Sequence, residues 1–187
     1  LAEAYKGKTA LDAMKENTAL TGTEVHKRLH SLEPEVFFDY CKTAGPEQIR
    51  QVIEDGVDLT ARDDKKRTAL MYAAESNGTV GVISSLVRGG ADVNARDDRG
   101  RTPLIHAAGH NGTPWIIAEL LKQGADLHAR DNRGGTALIA AAKDNENPEV
   151  VSLLLDAGAD PQAANAAGET AFDCIQENAR LEGTPVY

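Results

Sequence analysis

Two pairs of histidines raise the first question of chemistry. His106 and His110 stand four residues apart, as do His26 and His30. On one helix face that spacing can hold zinc, but a zinc site needs a third ligand and usually a fourth. No Cys or Glu pattern supplies them, and the glutamate that a metalloprotease places beside its first histidine is absent. Polar or half-buried histidines are the simpler reading, and neither metal nor cofactor is expected. Cys41 and Cys174 have no metal spacing and make no disulfide framework, so they read as small apolar core residues. No nucleophile–base set, phosphate-cradling loop or carboxylate pair stands out, and catalysis is not expected.

The side chains better suited to contact are charged. Residues 61–67 carry four basic and two acidic groups, residues 95–101 three and two, and residues 129–135 two and one. These segments are basic within a chain of net charge −9. Arg62, Lys65, Arg67, Arg96, Arg99, Arg101, Arg130 and Arg133 therefore form a row that could meet an acidic partner protein, because arginine forks pair well with carboxylates. The plainer alternative is that solvated loops are often charged. The overall acidity argues against nucleic acid, whose binding needs a favourable basic field. No apolar run approaches the ~18 residues of a membrane helix, so no membrane is expected. The scarcity of cysteine suits a reducing compartment.

These charges sit on a repeat. Gly56, Gly90, Gly124 and Gly158, each followed two residues later by Asp, recur every 34 residues, as do Thr68, Thr102, Thr136 and Thr170. Each threonine is placed to cap a short helix. That helix is rich in small residues, such as Ala73-Ala74, Ala107-Ala108 and Ala141-Ala142, which let neighbours approach closely. A polar turn follows. Gly45, Thr79, Thr113 and Asn147 then share the next N-cap register, with Pro46, Pro114 and Pro148 at the first helical position. The second helix shows i, i+3, i+4 apolar spacing, as in Ile117, Leu120 and Leu121. The glycine after it takes the left-handed conformation that ends a helix. Gly100, Gly134 and Gly168 fit a tight turn, whereas the first copy has Lys66 there. No such unit can bury its apolar face alone, so the units must stack.

Thr102-Pro103-Leu104, Ala107-Ala108 and Gly90-Ala91-Asp92-Val93-Asn94-Ala95 resemble the ankyrin repeat family, in register over about residues 34 to 182. The resemblance implies an all-α solenoid of helix–turn–helix units joined by β-hairpin-like loops. It also implies a non-catalytic module that binds proteins through hairpin tips and the concave face of the first helices. By register that face includes Tyr72, Glu75, Ser76, His106, His110, Lys143 and Asp144. The 34-residue spacing with Asn147-Pro148-Glu149-Val150 resembles bacterial members. Met71, Ile105 and Ile139 replace the family's frequent histidine, which removes a hydrogen bond that orders the turn. Trp115 has Glu47, Gly81 and Glu149 as register equivalents. It therefore falls on a face that is polar in its siblings and is a candidate binding anchor.

A longer repeat also appears. Gly7-Lys8-Thr9-Ala10-Leu11-Asp12 matches Gly168-Glu169-Thr170-Ala171-Phe172-Asp173 at an offset of 161. Residues 1–33 then read as a capping unit that ends one array, and residues 34–187 as a second array with a truncated cap. On this reading the chain, which begins at Leu1, is part of a longer protein. An unfinished cap exposes apolar surface and would allow end-to-end self-association. The alternative to a binding module is a structural spacer within such a chain.

Overall fold

The computed structural model describes residues 34–178. The expected capping unit over 1–33, with His26 and His30, and the truncated end from 179 lie outside the described residues. Nine helices are described: α1 (Pro34–Cys41), α2 (Pro46–Glu54), α3 (Ala69–Ser76), α4 (Val80–Arg88), α5 (Pro103–His110), α6 (Pro114–Lys122), α7 (Ala137–Asp144), α8 (Pro148–Asp156) and α9 (Ala171–Glu177). The odd-numbered helices pack on one another in an inner row, and α2, α4, α6 and α8 pack in an outer row. The fold is the expected all-α repeat solenoid.

Alanine makes the inner row possible. Ala73, Ala74, Ala107, Ala108, Ala141 and Ala142 are fully buried, so backbones meet with only methyl groups between them. Ile49, Val52, Ile83, Leu86, Ile117, Leu120, Val151 and Leu154 bury the facing side of the outer row. The glycines that end outer helices have positive φ, from 86° at Gly56 to 107° at Gly90. In the hairpin turns Gly100 has φ 75°, and its equivalent Lys66 has φ 60° without being glycine. Cys41 and Cys174 are free and buried.

The capping is more varied than the threonine register suggests. Thr102, Thr136 and Thr170 accept from the backbone three residues on, but Thr68 does not, and its hydroxyl is buried without a partner. Thr79 and Thr113 do not cap with their side chains either. The preceding asparagines order that turn instead. Asn77, Asn111 and Asn145 accept from the backbone N–H two residues later, at 2.9, 3.0 and 2.8 Å. Each also donates its amide to two carbonyls of the previous repeat; Asn111 reaches Ala74 O at 2.9 Å and Asn77 O at 3.0 Å. Asn178 donates in the same way to Ala142 and Asn145. This buried ladder satisfies the orphan carbonyls at the inner-helix ends and ties each repeat to the last.

Candidate protein-binding surface

The hairpin turns are built on an acid. Asp63, Asp97 and Asp131 each use one carboxylate oxygen to accept two backbone N–H groups of their own turn; for Asp131 these are Arg133 at 2.8 Å and Gly135 at 2.7 Å. Asn165 does the same in the last turn. Adjacent tips are joined by one backbone hydrogen bond each, from Asp98 to Lys65, Asn132 to Arg99 and Ala166 to Arg133. These side chains order each hairpin turn from within.

Seven of the expected contact residues serve the fold. Arg62 donates to Lys66 O and Arg96 O, Arg96 to Arg130 O, and Arg130 to Gly134 O and Ala164 O. A guanidinium with five donors suits this bridging of carbonyls between stacked tips. Arg67 Nε donates to the second oxygen of Asp63 at 2.9 Å, and Arg101 Nε to that of Asp97 at 3.2 Å. Tyr72 is buried, stacked on Phe38 at 5.3 Å between centroids, and its hydroxyl donates to the same Asp63 oxygen at 2.7 Å. His106 is 1% exposed, with Nε2 3.0 Å from Asp97 Oδ2. An accessible partner-binding role for His106 or Tyr72 is therefore corrected: both lie beneath the surface because each completes an acid-centred turn.

The electrostatics follow this packing. Burial raises the Asp97 carboxyl, but the Arg101 backbone N–H, the His106 bond and both neighbouring charges outweigh it and hold it below the usual value. Asp63 is lowered similarly, against burial, by Arg67 and Tyr72. Burial and the Arg101 guanidinium lower His106 against the pull of Glu75 and Asp97. Burial and the bond to Asp63 push the Tyr72 phenol up to about 12.

The remaining candidates keep their side chains available. Among the described residues Lys65, Arg99, Arg133 and Lys143 have no ion-pair or side-chain hydrogen-bond partner, and all four are exposed. Lys65, Arg99 and Arg133 share one register, three residues after Arg62, Arg96 and Arg130. Arg99, Arg133, Lys143 and the exposed His110 come together around a groove of about 390 Å³ between α5 and α7. Arg101, Asp98, Asp131 and Asp144 also line it, over an apolar floor of Ile105, Gly109, Ile139 and Ala140. His106 and His110 do not converge, and among the described residues no group of three His, Cys, Asp or Glu side chains could hold a metal ion.

A family model for ankyrin repeats, in three copies, matches residues 38–131 and 105–182. The chain belongs to the ankyrin repeat family. No curated protein matches it. Ankyrin repeats are generally protein–protein interaction modules. No described helix is long and apolar enough to cross a membrane.

Trp115 is 69% exposed on the outer-row helix α6 and lines neither this groove nor its counterpart between α1 and α3. The array therefore does not bring it together with the basic residues. The groove floor was not singled out from sequence. Its signal was a register comparison: Arg67, Arg101 and Gly135 at one position, and Tyr72, His106 and Ala140 at another.

Proposed function

We propose that the array binds an acidic partner protein across its hairpin tips and inner-helix face. The observation that carries this is the split between two rows of basic residues. Arg62, Arg96 and Arg130 hold the tips to one another. Lys65, Arg99 and Arg133 stand on those tips with no partner for their charges among the described residues. The turns that carry these cations are ordered by their own hydrogen bonds, so only the side chains lose freedom at binding, and the row of like charges favours electrostatic steering. His110 and Lys143 extend the surface onto the inner helices.

The test is capture of partner proteins by the chain, by K65E/R99E/R133E, and by the outer-row control R88E. Binding that is lost in the triple variant and kept in R88E supports the reading. Capture unaffected by the triple reversal removes the tips from the function, and failure of every form to capture favours the spacer.

A further inference from the structure

The groove between α5 and α7 lacks side chains that its siblings supply from within. In the second repeat, the outer oxygen of Asp63 receives Arg67 Nε at 2.9 Å and the Tyr72 hydroxyl at 2.7 Å. In the third, that of Asp97 receives Arg101 Nε at 3.2 Å and faces His106 Nε2 at 3.0 Å. In the fourth, the corresponding positions are Gly135 and Ala140. Asp131 orders its turn as the others do through Oδ1, but among the described residues nothing bonds its Oδ2. A third position opens the groove further: Gly109 stands where Glu75 and Lys143 stand in its neighbours. The hollow of about 390 Å³ lies over these small residues.

We infer that this groove takes a tyrosine side chain from the partner protein, whose hydroxyl donates to Asp131. The inference rests on the protein-binding reading and names what the groove recognises. The array itself contains the pattern. Tyr72 lies with the Arg67 guanidinium 4.2 Å and the Lys42 ammonium 4.9 Å from its ring centre, its hydroxyl on Asp63. An incoming tyrosine meets the same set: an acceptor in Asp131, unpaired cations in Arg133, Arg99 and Lys143, and the aliphatic floor of Ile105 and Ile139. Ring faces attract cations, and a buried phenol needs a hydrogen-bond partner. An arginine or lysine would satisfy Asp131 equally, but the four cations of the lining, Arg99, Arg101, Arg133 and Lys143, outnumber Asp98, Asp131 and Asp144 and disfavour it. Acidic residues two positions either side of the tyrosine share its face of an extended segment, where they can reach the basic rim.

The probe is a fluorescein-labelled peptide, Glu-Ser-Tyr-Ser-Glu, titrated against the full chain beside versions with Phe, Arg or Ser in place of Tyr. An oligothymidylate of similar charge tests for general polyanion binding. The tyrosine peptide is expected to bind about tenfold more tightly than the phenylalanine one, because loss of the hydroxyl leaves Asp131 unbonded. Two variants keep the fold. Asn165 shows that an amide can order this turn, so D131N retains it while losing the charge, and it is expected to narrow the Tyr/Phe ratio. A140Y supplies the missing ring from within. It is expected to abolish peptide binding and raise the melting temperature by about 3 °C.

Equal binding of the Tyr and Phe peptides, equal binding of the oligonucleotide, or unchanged binding by A140Y overturns the inference. If no peptide binds while partner capture still depends on Lys65, Arg99 and Arg133, the tyrosine pocket falls and the binding module stands. If partner capture also ignores the tips, both fall.

Discussion

Two grooves of nearly the same size lie on the inner face, about 380 Å³ between α1 and α3 and about 390 Å³ between α5 and α7. The first is already furnished. Its tyrosine is held by Asp63, Phe38 and two cations, and those cations are themselves paired, Lys42 with Asp39 at 2.7 Å and Arg67 with Asp63 at 2.9 Å. Among the described residues, the second has a carboxylate oxygen with no bond, cations with no partner, and small side chains where the first has Tyr72 and Arg67. The backbone repeats while the chemistry does not. A repeat array can thus devote one inter-repeat groove to its own stability and leave another for a partner, with only two or three side chains making the difference.

Emptying the furnished groove tests the first half of that contrast. Tyr72→Ala removes a stacked, hydrogen-bonded ring and is expected to lower stability by about 3–4 kcal/mol; Ala140→Gly should do far less in the same assay. Denaturant unfolding measures both, and equal losses would erase the distinction. The asparagine ladder supports both grooves alike. Asn111→Ala leaves the Ala74 and Asn77 carbonyls and the Thr113 N–H unsatisfied, for an expected loss of about 2–3 kcal/mol.

The turns differ as well. Lys66 holds a left-handed backbone that its siblings give to glycine, so Lys66→Gly is expected to gain about 0.5–1 kcal/mol. A drop in melting temperature would show that the Lys66 side chain matters more than its backbone strain.

Acid should act on the furnished repeats. His106 is held below its ordinary value, so the unfolded chain takes up its proton first. Stability therefore falls as the pH drops below about 6.5 and stops falling on this account below the folded value. Asp63 and Asp97 are also lowered, and their contribution is lost further down, through the carboxylate range. His106→Tyr imports the Tyr72–Asp63 arrangement and is expected to flatten the first step while keeping the second. Melting temperatures of both proteins at pH 7.5 and 5 check the first step, and at pH 5 and 2.5 the second.

The smallest effect separates the two rows of basic residues. Arg62→Ala loses hydrogen bonds to two tip carbonyls and is expected to cost about 0.5–1 kcal/mol. Arg99→Ala should stay within about 0.5 kcal/mol of the parent protein. Reversal of that order would mean that the free row, not the bridging one, holds the tips.

Much of the fold was legible along the chain. The 34-residue step of glycine and threonine, the alanine pairs and the outer-helix spacing are local signals, because helix ends, close approach and amphipathic faces depend on residues a few positions apart. Element order and the stacking requirement followed from them. The basic tips were visible too, but not which of their charges were available.

That last distinction belonged to the tertiary structure. Arg96 and Arg99 differ little as sequence, and both belong to rows that recur every 34 residues. Only stacking puts the next repeat's carbonyl against Arg96 and leaves Arg99 alone. Likewise His106 reads as a surface histidine until Asp97 is folded against it, and Asp131 reads like Asp63 until Gly135 and Ala140 are seen beside it. The sequence alone determined the repeat, its helices and its turns, since each is set within one unit. The burial of each polar side chain, and the groove left unfilled, were decided between units, where partners come from positions that no local pattern connects.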